Sequence, residues 1–464
     1  MVNGSIVNEF SVSLDGRVGE AAPSLVYAGD AVRGSLHLEI LQHMPLTCIY
    51  ITVKGRGYVH WTNQQLRGPG KPRFKDTHHH AASEEYFERT LVLCGDNNVD
   101  GEEKCYLPAG RYSYPFQCQL PGRLPCSFEG EYGYVRYWVK AAIHKGRQIV
   151  QKTSVPFSVL SPLDLNGVPD SNKSVQESTE KTMCCLCCFS GPVSASIALP
   201  KRGFVPGEPI RFGAEISNFS SRRMASCSVE LKMTTLFRAD DDTRSTSQQV
   251  CKVKRKQKIG RGEEVTWYND ELVVPPVPPS CLIGCNIISI KYTLELRVDP
   301  MGPAFDLSLP IEVVVGTVPH RIYRLEPQYM NVVRPSPDAA SLRQQENHHH
   351  GNPNTQRPIG VPVLPTQDGQ MIVNPSHVVP WTNGNGGAAG SELGSDKGQV
   401  QQRPSSRASN APSTTSSSST AHSKRISVIF VESVCQRGRP KVDDEHYRSG
   451  VRGFNPVYPF YRWR

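Results

Sequence analysis

Four thiols in five positions, Cys184-Cys185-Leu186-Cys187-Cys188, are the densest run of reactive side chains in this 464-residue chain. Thiolates at this spacing can ligate Zn²⁺, which takes four ligands at tetrahedral corners. Adjacent residues of an extended strand point to opposite faces, however, so one short run does not easily enclose a single ion. S-acylation of Cys184, Cys185, Cys187 and Cys188 is a second chemistry open to the cluster. A linker-to-strand element without chemistry is the plainest reading, and no metal or other cofactor is expected. Two histidine triplets, His78-His79-His80 and His348-His349-His350, sit in polar sequence and read as solvent-exposed. The basic run Lys252, Lys254, Arg255, Lys256 and Lys258 suits an anionic membrane surface or a phosphorylated peptide, with a solvated strand face as its bland alternative. Ser409 and Ser427 follow basic residues, as substrates of basophilic kinases do, and phosphate would add about −2 charge at each. No nucleophile elbow, His-Glu-x-x-His or P-loop occurs. No catalytic residue is therefore assigned, and the chain reads as a non-enzyme.

What must position these groups is a pattern stated twice. Tyr27-Ala-Gly29-Asp30-Ala-Val32 opens one alternating run, and Phe204-Val-Pro-Gly207-Glu208-Pro-Ile210 opens another. Leu120-Pro-Gly-Arg-Leu-Pro125-Cys-Ser127 precedes a long strand signal containing Tyr137. Val274-Pro-Pro-Val-Pro-Pro279-Ser280 precedes one containing Tyr292. The shared order predicts tandem homologous β-domains rather than one large domain or a solenoid. Val135, Tyr137, Val139, Ala141 and Ile143 share one face of the first long strand. Ile288, Ile290, Tyr292, Leu294, Leu296 and Val298 share one face of the second. Period-two alternation of that length predicts one face on a core and the other in water. Several such strands per copy, with turns between them, predict antiparallel sandwiches.

Boundaries follow from composition. The fold class is all-β: a β-sandwich over 1–162, a polar linker over 163–181, a second β-sandwich over 182–318, and a disordered tail over 319–464. Runs such as Pro412-Ser-Thr-Thr-Ser-Ser-Ser-Ser-Thr420 cannot bury enough apolar surface to offset ordering entropy. With both cores ahead of Pro319, the tail is expected to be dispensable for folding. The net charge of +9 is spread over many short segments. A nucleic-acid binder gathers charge on one face with interleaved aromatics, so nucleic acid is not an expected partner. No run approaches the roughly 18 apolar residues of a membrane span. The start shows no signal-peptide pattern, and the fourteen cysteines are scattered apart from the one cluster. The reducing cytosol is the expected compartment.

Six blocks in order carry a resemblance: Gly110-Arg-Tyr-Ser-Tyr-Pro-Phe116, Leu120-Pro-Gly-Arg-Leu-Pro-Cys-Ser-Phe-Glu-Gly130 with Gly133-Tyr-Val-Arg-Tyr137, Cys184-Cys-Leu-Cys-Cys-Phe-Ser-Gly-Pro192, Gly203-Phe-Val-Pro-Gly-Glu208, Asn218-Phe-Ser-Ser-Arg222 and Leu309-Pro-Ile-Glu-Val-Val-Val-Gly316. Together they resemble the α-arrestins, the arrestin-domain-containing proteins. The resemblance implies two arrestin-like sandwiches forming a shallow two-lobed cradle. It also implies a cytosolic adaptor, recruited to the plasma membrane or endosomes, that binds membrane-protein cargo and brings ubiquitin-ligase or endocytic machinery in protein transport and receptor down-regulation. The α-arrestin tail usually carries two Pro-Pro-x-Tyr motifs for WW-domain ubiquitin ligases. This chain departs from that pattern. Glu326-Pro327-Gln328-Tyr329 and Asn455-Pro456-Val457-Tyr458 keep Pro-x-Tyr but lack the first proline. WW grooves read a preformed polyproline II segment, and one lost ring costs on the order of 1–2 kcal/mol. Asn455-Pro456-Val457-Tyr458 also resembles the ligand of phosphotyrosine-binding-type and endocytic adaptor domains. An arrestin-fold signalling scaffold without ubiquitin-ligase coupling is the alternative function. The aromatic cluster around Tyr458 is expected to be a free docking peptide, with Tyr458 as its anchor.

Overall fold

The computed structural model describes residues 6–16, 24–67, 74–95, 105–182, 190–240, 242–302, 306–321, 324–325, 425–435 and 454–463. The cysteines at 184, 185, 187 and 188, the segment Glu326, Pro327 and Tyr329, Ser409 and the second histidine triplet lie outside these residues.

Alternating burial builds both halves. In the strand Ala31–Ile40, Val32, Gly34, Leu36, Leu38 and Ile40 are buried while the alternate residues reach solvent. It lies between Val7–Leu14 and Gly110–Gln119 in a three-stranded antiparallel sheet. The facing sheet runs Leu25–Tyr27, Gln148–Leu160, Gly133–Lys145, Cys48–Arg67 and Phe74–Gly95, and Phe128–Glu129 also pairs with Gly133–Lys145. The second sandwich sets Val175–Thr182, Pro192–Leu199, Pro209–Asn218 and Glu263–Val273 against Gly203–Phe204, Leu307–Val315, Ile288–Pro300, Met224–Ala239 and Asp242–Arg255. Each sandwich contains one short parallel pairing, Leu25–Tyr27 with the end of Gln148–Leu160 and Gly203–Phe204 with the end of Leu307–Val315.

The duplication read in the sequence holds at the level of single bonds. The Tyr137 hydroxyl donates to the Pro125 carbonyl (2.7 Å), and the Tyr292 hydroxyl donates to the Pro278 carbonyl (2.6 Å). The Ser127 hydroxyl accepts from the Val159 amide and the Ser280 hydroxyl from the Val315 amide, both at 2.9 Å. Gly29 and Gly207 both adopt φ +89°, a left-handed turn that glycine enters without a steric penalty. Each Pro-Ser element is thus a proline-stiffened crossing, tied to the rim of its own sheet by one serine and to a core tyrosine by one carbonyl.

Three expectations need correction. The first long strand, Gly133–Lys145, is covered on both faces: Tyr134, Trp138 and Ala142 are buried as fully as Tyr137 and Val139. Its second face is closed by Arg136, which chelates Glu129 at 2.6 and 2.8 Å and stacks over Tyr134. The polar linker is also shorter than 163–181. Val175–Thr182 is the edge strand of the second sandwich, antiparallel to Pro192–Leu199. Its polar sequence is that of an edge, with only Val175 turned into the core. Finally, the tail is not wholly without structure. Arg425–Glu432 and Val457–Trp463 form an antiparallel hairpin, and Arg425–Glu432 pairs in parallel with Arg324–Leu325. The composition of the intervening serine-rich stretch does not extend to these two apolar runs, which bury Ile426, Val428, Val457, Tyr458 and Tyr461. These two tail strands are therefore part of the packed structure.

Candidate functional site: the seam between the sandwiches

Direct contacts join the two sandwiches at their long hairpins. Asp242, at the turn of the Met224–Ala239/Asp242–Arg255 hairpin, accepts from Trp61 Nε1 and Asn63 Nδ2, both at 3.2 Å. The bond from Trp61 first, and then the bond from the Thr243 amide, hold its carboxyl below the usual range. His80 of the first histidine triplet stacks on Trp61 and stands 3.5 Å from Asp242. Glu84 accepts from the Asn286 amide and side chain at 3.1 and 2.8 Å, and Arg244 lies over the Tyr132 ring. His80 is therefore set into a domain contact, whereas His79 is exposed and contacts His60 of its own sandwich.

Beside this contact the two Pro-Ser elements approach each other, with Gly284 (φ +90°) against the Arg123 carbonyl and Pro125. The tail hairpin lies along the resulting seam. Tyr458 is 1% exposed and donates from its hydroxyl to the Ser127 carbonyl at 2.8 Å. The Val457 amide donates to the Ser158 hydroxyl at 3.3 Å. Tyr461, also 1% exposed, donates from its hydroxyl to the Thr317 carbonyl at 2.6 Å and from its amide to the Pro206 carbonyl at 2.9 Å. The Val434 amide donates to the Pro276 carbonyl at 3.0 Å. Burial pushes both phenols far above their ordinary pKa, so they remain neutral donors. Leu165, Val205, Ile426, Val428 and Tyr461 form an apolar cluster of their own, joining the interdomain crossing, the second sandwich and the tail. Tyr458 belongs instead to the main core. Cys435 follows the first tail strand to Met233 Sδ (3.7 Å), and burial pushes its thiol up to about 11.

The Asn455-Pro456-Val457-Tyr458 motif is thus occupied within the chain. The Asn455 side chain donates to the Glu432 carboxylate (3.0 Å) and the Ser433 carbonyl (3.2 Å), closing the hairpin. Pro456 is buried and its carbonyl accepts from the Ser433 amide at 3.0 Å. The motif expected as a free docking peptide instead has its anchor tyrosine in a slot of its own protein in this arrangement. Ser427 is half-buried in the first tail strand, opposite Arg462.

The basic run is likewise engaged at several positions. Lys252 pairs with the buried Glu230 at 2.9 Å, which Lys232 also contacts at 3.0 Å. Arg255 reaches both oxygens of Asp270 at 2.8 Å and lies over Trp267. Lys254 stands 3.7 Å from Asp299, while Lys256 and Lys258 are exposed beyond the strand end. Lys252, Lys254 and Arg255 thus belong to the charged rim of a strand ladder.

The sequence pointed to Tyr458 but missed its partners, the carbonyls of Ser127 and Thr317. Backbone acceptors leave no residue-type signature. The one available signal was the alternation of Ile426, Val428 and Phe430 in an otherwise polar tail.

Residues 17–166 match the family described as arrestin (or S-antigen), N-terminal domain, and residues 190–320 match its C-terminal domain. The chain belongs to the arrestin family, within its α-arrestin branch. It is 31% identical over 298 residues to mouse arrestin domain-containing protein 4, covering 63% of this chain and 69% of that protein. It is 28% identical over 301 residues to Caenorhabditis elegans arrestin domain-containing protein 17, covering 63% and 68%. It is 29% identical over 297 residues to human thioredoxin-interacting protein, covering 64% and 72%. An arrestin-type adaptor or scaffold is what this membership supports.

Proposed function

We propose that this chain is a cytoplasmic adaptor that binds membrane-protein cargo and couples it to ubiquitin-ligase or endocytic machinery at the plasma membrane or endosomes. Family membership supports the adaptor class, and the observation that bears most on the coupling is the burial of Tyr458 at the domain seam. Three Pro-x-Tyr segments are present, ending at Tyr329, Tyr458 and Tyr461, and the last two are engaged internally, which leaves Glu326-Pro327-Gln328-Tyr329 as the segment for WW-domain ligases. Cysteines 184, 185, 187 and 188 as S-acylation sites, Lys256 and Lys258 as lipid contacts, and Ser409 and Ser427 as phosphorylation sites fit the same reading. Arrestin-family proteins are generally non-enzymatic, in keeping with a binding role.

The same burial favours a second reading, a signalling scaffold of arrestin fold without ubiquitin-ligase coupling. Pull-down of WW-domain ligases and endocytic adaptors with the full chain separates the two. Under the first reading the wild-type chain captures them and Tyr329→Ala releases the ligases. Absence of any such capture, with Tyr329→Ala and Tyr458→Ala indistinguishable from wild type, supports the scaffold.

A further inference from the structure

We propose that the seam is a peptide-binding groove selective for a strand with two tyrosines three residues apart. Residues 454–463 are its internal ligand, so Tyr458 is either held in the groove or offered to an outside partner, never both.

Strand geometry sets the spacing. Residues i and i+3 of a strand face opposite ways. Tyr458 and Tyr461 therefore reach different walls: one hydroxyl to the Ser127 carbonyl in the first sandwich, the other to the Thr317 carbonyl at the end of the second. Both faces of the strand are covered, since Val457, Tyr458, Pro459 and Tyr461 are all buried. A single tyrosine would hold one wall only. The pair joins both.

The groove side is built independently of its ligand. Ser127 is fixed by its bonds with Val159, and Thr317 by its amide bond to the Leu163 carbonyl. Pro206 sits in the turn held by Gly207 and Glu208, where the Glu208 carboxylate accepts from the Val205 amide and pairs with buried Lys201. A Cβ at Gly207 would collide with the Tyr461 carbonyl, so the missing side chain is what lets the strand approach. Tyr27, Leu160, Pro162 and Val318 supply an apolar lining.

The ligand side is separable. Arg425–Glu432 connects to the sandwiches through residues 326–424. The hairpin is held at the seam by the contacts named above and by the pairing of Arg425–Glu432 with Arg324–Leu325. Any domain that binds Tyr458 in a pocket of its own must compete with the Ser127 slot for the same ring.

The test uses the full chain, a fluorescent peptide of residues 450–464, and the double variant Tyr458→Phe/Tyr461→Phe. That variant keeps both rings and removes both hydroxyl bonds from the internal ligand. Its groove should take up the added wild-type peptide about tenfold more tightly than the wild-type chain does, and a peptide with Phe at both positions should compete about tenfold less well. Equal uptake by the two chains, or none by a variant whose near-ultraviolet circular dichroism is unchanged, overturns the proposal. A second measurement follows phosphorylation of Tyr458 by an added purified tyrosine kinase. Tyr461→Ala removes one anchor and leaves Asn455-Pro456-Val457-Tyr458 intact, so Tyr458 should be modified at least about tenfold faster. Equal rates contradict exclusivity. Neither experiment depends on the cargo.

Discussion

The two sandwiches repeat one local plan, yet their leading turns do different work. In the first, Gly29 donates to the Pro121 carbonyl and Asp30 is exposed to solvent. In the second, Gly207 donates to the Val274 carbonyl, but Glu208 is 2% exposed and ion-paired with Lys201. The two turns share backbone conformation and differ in what lies over them: Gly29 faces Gly122 of its own domain, and Gly207 faces Tyr461 of the tail. A duplicated element has kept its geometry while one copy became a docking surface. Symmetry accounts for the fold here, and its breaking marks the candidate site.

The largest effects should test the shared plan. Tyr137→Ser and Tyr292→Ser each remove a fully buried ring and orphan a proline carbonyl, and both should lower stability by about 3–5 kcal/mol in chemical denaturation. A variant as stable as the parent would show that the two tyrosines are not equivalent cores. The turns should then part company. Glu208→Ala strands the Lys201 charge and should cost about 3–5 kcal/mol, whereas Asp30→Ala should stay within about 0.5 kcal/mol. Similar costs at both positions would erase the asymmetry.

Much of this was legible from the sequence. The alternation of Ile288 through Val298 assigns a core face correctly because each side chain answers to a period of two. Glycine and proline mark both turns and both crossings. The second face of Gly133–Lys145 was not legible, because Arg136 looks like a solvated residue until Glu129 is brought beside it by a neighbouring strand. The tail failed for a related reason. Composition over a long window averages Ile426, Val428, Tyr458 and Tyr461 with many serines and glycines. The groups that receive them lie more than a hundred residues upstream in the chain.

Smaller effects sharpen the same contrast. Tyr458→Phe and Tyr461→Phe each lose one buried hydrogen bond, and each should cost about 0.5–1.5 kcal/mol, seen as a lower denaturation midpoint. No change in either would mean that the tail contributes nothing to the folded state. Last comes a pH effect confined to the second sandwich. Desolvation works against the Glu230 carboxylate, but hydrogen bonds from Lys252 and Lys232 outweigh it and hold the pKa below the ordinary value. A folded pKa below the unfolded one gives stability that is present above about pH 4–5 and fades as pH falls through the folded value. Glu230→Gln should therefore flatten the acid limb of a stability-against-pH curve; an unchanged slope would assign that limb to other carboxylates.

The central claim is that the tail hairpin is docked between the sandwiches in the native chain. Amide hydrogen exchange of the full chain at neutral pH reads it directly at Val457 and Tyr461, whose amides donate to Ser158 and Pro206 rather than to the hairpin's own partner strand. Docking predicts exchange slowed by at least about a hundredfold relative to an unstructured peptide of residues 450–464. Exchange of both amides at the free-peptide rate would contradict it.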